Sequence, residues 1–403
     1  MAHLHPFRAL RPAPAVVQEV ACVPYDVIDV EEAHALAKGK PLSFLHVIRP
    51  EIDLPDGTDE HDDAVYDMGA ENLRKFAESS HALKEAEPAV YVYRLVMDGR
   101  AQTGIYGCVS VEDYDNNVIL KHEKTRPVKE DDRTRHILTQ RAHAEPVMLT
   151  FRSNDDIQSI TDAAAEEEPI YDFTADDGVR HTIWKVAGAE QLVDAFRLVE
   201  KLYVADGHHR CKAASRAAED VRNRGENIPE ANYFPAVLFP MDEMNILAYN
   251  RVVYQLRGDT TDFMEELRKQ FDVESGADPI PEEKGEVCIY FSGEWHRLTL
   301  PPTRRESLAD ALDVARLNEY ILEPLLGITD PRRDENIGFV GGIRGTEELE
   351  NLVDSGRAAL AFSVYPTSIE ELVAISDAGL LMPPKSTWFE PKLRSGLLVH
   401  QFD

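Results

Sequence analysis

The pattern of apolar and polar positions along the chain alternates between the period of an α-helix and that of a β-strand. In residues 63–79, apolar side chains recur at helical spacing at Val65, Met68, Leu73 and Phe76, which predicts a helix with one buried face. Further helices are predicted at 31–38, 130–143, 191–200, 211–219, 262–271, 307–326, 346–355 and 368–378.

Runs rich in valine, isoleucine and aromatic side chains predict β-strands between these helices. The strongest run, at 89–97, ends at Asp98-Gly99, a dipeptide typical of hairpin turns, and residues 103–111 are predicted to return beside it. Further strands are predicted at 118–121, 146–151, 181–186, 201–206, 233–240, 246–254, 287–291, 295–300 and 358–364. Residues 153–180 are acidic and weakly patterned. The alternation predicts an α/β fold of the mixed α+β kind.

The length of 403 residues is typical of two or three domains, and the hydrophobic content of 43% is sufficient for buried cores. The change in pattern along the chain predicts an N-terminal α/β region at 1–110, a core region at 111–257 and a C-terminal α/β region at 258–403. Residues 382–397 are polar, aromatic and irregular, and we expect them to form a strap.

The chain is strongly acidic, with 73 acidic and 43 basic residues and a net charge of −30. This charge opposes binding to nucleic acid and to anionic membranes, since both require basic surface. The sequence contains no apolar run of about 18 residues, and its first residues resemble no signal peptide, so a cytoplasmic protein without a membrane span is expected. The cysteines match no zinc or disulfide pattern; they are Cys22, Cys108, Cys211 and Cys288.

The most informative motif is Asp206–Arg210, which reads Asp-Gly-His-His-Arg. A predicted strand runs into Asp206, Gly207 permits a sharp turn, and a predicted helix follows. The free N–H groups at a helix N-terminus attract anions, and the guanidinium of Arg210 can bind two phosphate oxygens at once. These residues predict a phosphate or carboxylate site beside Asp206. In the alternative interpretation, Asp206 only caps the helix while the two histidines face solvent.

A second candidate is Glu123, which follows His122 and is close in sequence to Lys124 and Arg126. Nearby positive charge favours the ionised carboxylate, and an ionised carboxylate can act as general base on a substrate hydroxyl. The alternative is a charged end of a strand, solvated on both sides.

A third candidate lies in the tail, where cations and hydroxyls occur close to Trp388 and Phe389. Such a segment is suited to fold over a phosphate-bearing ligand; the residues concerned are Lys385, Ser386, Thr387 and Lys392. The alternative is a strap whose aromatic side chains pack on the core.

Several common signatures are missing from the sequence. It contains no P-loop, no glycine fingerprint of a dinucleotide-binding fold and no nucleophile elbow. His122, Glu123, His208 and His209 are suitable ligand types for a metal ion. Their spacing gives no support for a metal centre, because Glu123 precedes Asp206 by 83 positions.

Five motifs, taken together, resemble the bacterial and archaeal family called domain of unknown function 1015. They are Pro24–Ile28, Leu120–Thr125, Ala205–Arg210, Tyr249–Arg251 and Met382–Lys392. The resemblance extends over nearly the whole chain, and the family name implies no activity.

The Asp206–Arg210 turn also resembles the phosphate-binding turn of the ParB/sulfiredoxin superfamily, which includes free-serine kinases. This resemblance implies a ParB/sulfiredoxin-like central domain. It implies that Glu123 is the base on the substrate hydroxyl, that Asp206 and His208 lie near the transferred phosphoryl group or its metal, and that Arg210 clamps its charge. The remaining residues implied at the phosphate or nucleotide are Gly207, His209, His122 and Thr125. This chain differs from members of the superfamily in several respects. The gap between His122-Glu123 and the Asp206–Arg210 turn is longer than in the small kinases, and the chain has neither a sulfiredoxin-type cysteine nor a DNA-binding segment.

The expected function is therefore a small-molecule phosphotransferase that uses ATP or ADP with Mg²⁺. Free serine or phosphoserine is the expected substrate, in either direction of transfer. Two alternatives remain at this point: a non-catalytic nucleotide-binding regulatory protein, and a metal-dependent hydrolase that uses the histidines.

Overall fold

The computed structural model describes residues 1–256 and 260–402, which form two compact units. The first unit comprises Met1–Lys121, Thr125–Met244 and Pro391–Asp403, and the second comprises His122–Lys124 and Asn245–Glu390. The predicted boundary after residue 110 lies inside the first unit, because strands on both sides of it belong to one sheet. The predicted boundary after residue 257 lies outside the described residues.

Both units mix helices with sheets, which confirms the predicted mixed α/β class. In chain order, the strands are β1 (Leu4–His5), β2 (Leu10–Pro12), β3 (Ala82–Lys84), β4 (Tyr91–Met97), β5 (Arg100–Ser110), β6 (Ile119–Leu120), β7 (Ala142–His143), β8 (Val147–Phe151), β9 (Tyr171–Thr174), β10 (Arg180–Lys185), β11 (Leu202–Asp206), β12 (Tyr233–Pro240), β13 (Ile246–Leu247), β14 (Tyr249–Val253), β15 (Glu274–Ser275), β16 (Glu286–Phe291), β17 (Glu294–Thr299), β18 (Ile337–Gly341), β19 (Leu360–Val364), β20 (Trp388–Phe389) and β21 (His400–Gln401).

The α-helices lie mostly where the periodicity predicts them. In chain order, they are α1 (Val17–Val20), α2 (Val30–Ala37), α3 (Leu45–Ile48), α4 (Asp63–Glu78), α5 (Val111–Asp115), α6 (Pro127–Gln140), α7 (Asp155–Ala165), α8 (Ala189–Phe196), α9 (His208–Asn223), α10 (Thr260–Gln270), α11 (Asp313–Leu317), α12 (Glu323–Leu326), α13 (Gly345–Asp354) and α14 (Ile369–Asp377). Short 3₁₀ segments lie at Pro14–Val16, Pro50–Asp53, Pro229–Asn232, Met241–Glu243, Leu308–Ala311 and Gly342–Arg344, and a π-helical segment lies at Asn318–Leu322.

The first unit is built on a nine-stranded mixed sheet in the order β6-β11-β8-β12-β5-β4-β10-β9, with β1 paired to β5. β11 runs parallel to β6 and antiparallel to β8, so the strand that leads to Asp206 is an interior strand. Its apolar side chains are buried in the main core, together with those of β8 and β12. Interior position and burial hold the end of β11 rigidly, which suits a site that begins there.

The hairpin between β4 and β5 forms as predicted. Its turn residues Asp98 and Gly99 have φ values of 52° and 79°, the left-handed conformation at both positions that a two-residue turn of this kind requires. The weakly patterned region 153–180 holds regular structure as well. Asn154 caps α7 there by accepting a hydrogen bond from the N–H of Ile157, and β9 pairs with β10.

The second unit is built on a six-stranded antiparallel sheet in the order β15-β17-β16-β19-β14-β18. A separate two-stranded pair joins β13 to β20, the strand within the predicted strap. Within residues 1–256 and 260–402, no helix combines the length and the apolarity needed to cross a membrane.

Candidate functional site

The turn between β11 and α9 depends on a glycine. Gly207 has a φ of 97°, in the left-handed region that other residues rarely adopt. A Cβ atom at this position would also lie 3.0 Å from Val147 Cγ1 and 3.1 Å from Arg210 Nε. Gly207 is the N-cap of the 16-residue α9 and provides no side-chain cap. Asp206 therefore does not cap the helix, and the alternative interpretation of the motif is wrong in this respect.

Asp206 is held between two cations. Arg210 Nη2 donates a hydrogen bond of 2.8 Å to Asp206 Oδ2, and Lys392 Nζ lies 3.3 Å from Asp206 Oδ1. Burial alone would raise the pKa of Asp206, but Lys392 and Arg210 outweigh that effect and hold the pKa far below its ordinary value. Since its side chain is still 27% exposed, Asp206 presents an ionised carboxylate to the surface of the unit.

Arg210 connects this carboxylate to other parts of the first unit. Its Nη1 donates a 2.5 Å hydrogen bond to the carbonyl of Pro146, and its Nη2 lies 3.9 Å from Asp26 Oδ2. Burial lowers the pKa of the Arg210 guanidinium, but Asp26 and Asp206 together raise it above its ordinary value. Arg210 is therefore a fixed positive charge between two carboxylates.

The Pro24–Ile28 motif extends this cluster. The backbone N–H of Tyr25 donates to Glu145 Oε1 at 3.1 Å, and the hydroxyl of Ser395 donates to the same oxygen at 3.1 Å. The guanidinium carbon of Arg133 lies 4.0 Å from the centroid of the Tyr25 ring. Burial raises the pKa of Glu145. Tyr25, Arg133 and Glu145 thus brace the segment that carries Asp26.

The sequence alone does not predict Asp26, Glu145 or Arg133 at this site, and it predicts Lys392 only as part of the tail. The one available signal was Asp26, which lies inside a motif that marks the family resemblance. Contacts such as that between Asp206 and Lys392, 186 positions apart, arise only from the tertiary fold.

The two histidines of the turn differ in environment. His208 is 6% exposed, and burial lowers its pKa to about 3, so its imidazole is neutral near pH 7. His209 Nε2 accepts a 3.1 Å hydrogen bond from the N–H of Arg126. This bond attaches the segment of Thr125 to the turn, while the Thr125 hydroxyl donates to Glu130 at 2.5 Å. His208 is suited to a neutral polar contact, and His209 holds the local backbone.

A cavity of about 40 Å³ adjoins Arg210 in the first unit, and Arg133 and Glu145 also line it. Among the described residues, Arg210 Nε, His136 Nδ1 and His143 Nε2 are buried without a hydrogen-bond partner. Burial lowers the pKa of both histidines well below the ordinary value, so both are neutral. The volume is sufficient for ordered water, which can satisfy these nitrogens.

The remaining candidates lie in the second unit, in a group of segments that we call the strap cluster: His122–Lys124, Tyr249–Arg251 and Met382–Glu390. The N–H of Met382 donates to the carbonyl of His122 at 2.8 Å, and Arg251 Nη2 donates to the carbonyl of Lys385 at 2.9 Å. Parts of three of the five motifs therefore meet in the second unit.

Within the strap cluster, the side chains divide between packing and polar roles. Phe389 is buried, and the Trp388 indole donates to Glu390 at 2.8 Å, as expected for a strap that packs on a core. Ser386 is buried, and its hydroxyl donates to the carbonyl of Pro383. Lys385, Thr387 and Glu123 are half-buried.

The predicted site residues are thus divided between the units. Asp206, Gly207, His208, His209, Arg210 and Thr125 belong to the first, and His122, Glu123, Lys385, Ser386 and Thr387 belong to the second. In the part of the chain that the structure describes, no group of three or more histidine, cysteine, aspartate or glutamate side chains is arranged to hold a metal ion.

Comparison with known proteins gives one extensive match. The model of the family described as "Protein of unknown function (DUF1015)" matches residues 4–315. No curated protein matches the chain.

Solved structures show only low similarity. A free serine kinase in complex with AMP is 15% identical, with a TM-score of 0.35 over 72% of this chain and 92% of that chain. A conserved hypothetical protein from Pyrococcus furiosus is 14% identical, with a TM-score of 0.35 over 72% and 95% of the two chains. SbnI with a C-terminal truncation, from Staphylococcus aureus, is 13% identical, with a TM-score of 0.38 over 73% and 87%. Similarity at this level assigns no residue role to this chain.

Proposed function

The chain belongs to the DUF1015 family of proteins of unknown function, and we propose that it is a small-molecule phosphotransferase that uses a nucleotide. The observation that carries the proposal is the Asp206–Arg210 turn. There, an ionised carboxylate and two cations lie at the start of a long helix that has no side-chain cap. Free helix N–H groups and cations favour phosphate, and a carboxylate beside them favours the cation that accompanies a nucleotide.

The chemistry needs little more than positioning and charge. In the proposed reaction, the oxygen of a substrate hydroxyl bonds to the terminal phosphorus of ATP or ADP as the bond from that phosphorus to its bridging oxygen breaks. The hydroxyl proton passes to a base, and ADP or AMP leaves. Backbone N–H groups at the start of α9 and the side chains of Arg210 and Lys392 would stabilise the charge on the phosphoryl oxygens.

Asp206 is the residue we propose to hold Mg²⁺. A carboxylate that stays ionised at neutral pH is the ligand that this ion takes together with phosphate oxygens. Mg²⁺ supplies neutralisation of phosphate charge when bound. His208, neutral because its pKa is about 3, would contribute a hydrogen bond to a phosphoryl oxygen without changing charge near pH 7.

Glu123 is the proposed base, a role that follows from the motif resemblance and from its cationic sequence neighbours. His122, Thr125, Gly207, His209, Lys385, Ser386 and Thr387 are the further residues proposed at phosphate or nucleotide. Free serine and phosphoserine are the proposed substrates, on the same resemblance.

Thermal unfolding and product analysis in the same samples test this function. We expect Mg²⁺ with ATP or ADP to raise the melting temperature, and phosphoserine to form from serine and one of these two nucleotides. Stabilisation by nucleotide without any product would instead support a non-catalytic regulatory protein. Turnover that requires a metal ion but no nucleotide would support a hydrolase.

Glu123→Gln tests the base. We expect turnover to fall by a factor of about 100 or more, since a general base contributes about 10²–10⁴-fold, while nucleotide still raises the melting temperature. Glu219→Gln is the matched control, because Glu219 is exposed on α9 and the change in charge is the same. Full activity in Glu123→Gln would show that another group accepts the proton.

A further inference from the structure

With one exception, each buried arginine of the described chain contacts a carboxylate. Five arginines are buried, and four of them contact a carboxylate: Arg49 with Glu51, Arg133 with Asp132, Arg210 with Asp206, and Arg394 with Asp177. Arg251 is only 3% exposed, and the hydrogen-bond partners of its guanidinium among the described residues are all backbone carbonyls. The exception lies in the strap cluster.

Neutral groups surround the Arg251 guanidinium. Its Nη1 donates to the carbonyl of Tyr249, and its Nη2 donates to the carbonyls of Lys385, at 2.9 Å, and Pro384. The ring centroid of Phe339 lies 5.4 Å from its Cζ. Carbonyl dipoles and a ring face satisfy N–H groups but carry no net charge to offset the cation.

The electrostatic effect of this arrangement is visible in the pKa values. Burial lowers the pKa of Arg251 to about 10, whereas nearby carboxylates raise the pKa values of Arg133 and Arg210 above the ordinary value. An unpaired buried charge is strongly unfavourable. Because the chain has 73 acidic residues, a shortage of carboxylates does not explain the missing partner.

A second cation belongs to the same cluster. Lys385 has a φ of 56°, a left-handed conformation that is strained for a residue with a side chain, and Arg251 holds its carbonyl. Lys385 Nζ lies 5.3 Å from the ring centroid of Tyr249, the residue whose carbonyl Arg251 also binds. Glu390, the buried acid of the cluster, accepts a hydrogen bond from the Trp388 indole.

We propose that Arg251 and Lys385 form an oxyanion-binding site in the second unit, which takes the phosphate or carboxylate group of a small molecule. The bound anion supplies the counter-charge that the described chain withholds from Arg251. The site lies in a different unit from the Asp206–Arg210 turn. It deepens the role proposed above for Lys385, but anion binding here requires no phosphoryl transfer.

The test is titration calorimetry of the full-length protein with inorganic phosphate and, separately, with acetate, each at constant ionic strength set with chloride. Arg251→Gln keeps an N–H donor for the strap carbonyls and removes the charge. We expect it to weaken one phosphate-binding event about tenfold or more, the loss typical of a charge-assisted hydrogen bond. Arg333→Gln removes one positive charge from an 87% exposed side chain of the same unit and should bind as wild type does.

Wild-type stoichiometry and affinity in Arg251→Gln would overturn the proposal. If that variant does not fold, Arg251→Lys retains the charge, and we expect it to bind phosphate more weakly than wild type; unchanged affinity would overturn the proposal equally. Binding of phosphate alone would assign a phosphorylated ligand, and equal binding of acetate would assign a carboxylate. If the protein transfers phosphoryl groups but its anion binding is unchanged in Arg251→Gln, only this inference is refuted. If anion binding depends on Arg251 but no phosphoryl transfer occurs, only the proposed function is refuted.

Discussion

The charge of Asp206 links the candidate site to the stability of the first unit. Burial favours its neutral form, but Lys392 and Arg210 outweigh burial, so its pKa is lower in the folded than in the unfolded protein. Such a group stabilises the fold above its unfolded pKa of about 3.9, and this stabilisation is lost as the pH falls through that value towards the folded pKa.

We therefore expect Asp206→Asn to lower the free energy of unfolding at pH 7 by about 3 kcal/mol, because Arg210 and Lys392 lose their counter-charge. The difference from wild type should shrink as the pH falls from about 5 to about 3. Urea unfolding at several pH values measures it, with Asp194→Asn, whose side chain is 68% exposed, as the control. A difference that does not change with pH would contradict the assigned charge state.

Gly207 contributes to the turn through both backbone conformation and lack of a side chain. Gly207→Ala should cost about 2 kcal/mol and weaken nucleotide binding, because the new Cβ is strained at this φ and crowds Arg210. Gly178→Ala is the matched control, since Gly178 has a φ of 81° but nothing within 4 Å of its added Cβ. If Gly207→Ala and Gly178→Ala lose equal stability and both bind nucleotide as wild type does, the Cβ at position 207 does not crowd Arg210.

The residues of the candidate site differ in whether the sequence alone predicts them. Asp206, Gly207 and Arg210 are predictable because one short turn brings them together and each has a distinct chemical role. Lys392 and Asp26 are not, since their approach to Arg210 and Asp206 depends on packing between remote segments. The Tyr249–Arg251 motif alone does not predict that the structure buries Arg251 among carbonyl groups, because its partners in residues 382–390 are remote in sequence.

At the scale of elements, Trp388 of the strap packs closely against the sheet of the second unit. A Cβ added to Gly341 on β18 would lie 2.6 Å from the ring of Trp388 on β20. We expect Gly341→Ala to displace Trp388, to change tryptophan fluorescence and to cost about 1–3 kcal/mol, as overpacking does. Fluorescence and stability equal to those of wild type would show that the strap does not depend on this contact.

Elements with strong periodicity are predicted well, and elements set by tertiary contacts are not. Helix α4 begins at its predicted start and ends one residue before its predicted end, and Val65 and Leu73 give it a buried face. The predicted helix at 307–326 is instead a series of short 3₁₀, α and π segments. Thr367 and Glu370 predict a capping box, but Ser368 and Glu371 form it, since the Thr367 hydroxyl donates to the carbonyl of Ser386.

At the scale of the whole molecule, chain order and spatial order differ. The C-terminal segment Pro391–Asp403 belongs to the first unit and brings Lys392 to Asp206, while His122–Lys124 belongs to the second. Domains predicted as consecutive regions of the sequence cannot include segments that belong to the other unit, because hydrophobic periodicity indicates local structure only. Composition is informative at this scale, since 43% hydrophobic residues are enough for the buried cores of both units.

The central claim is that the Asp206–Arg210 turn serves phosphoryl transfer. Phosphorus NMR of the full-length protein with Mg²⁺, serine and either ATP or ADP, and in reverse with phosphoserine and either ADP or AMP, tests it most directly. We predict a phosphoserine signal that grows or decays with enzyme, that is lost in Asp206→Ala and that persists in Asp194→Ala. Unchanged spectra in both directions, or turnover that survives in a folded Asp206→Ala protein, would contradict the account.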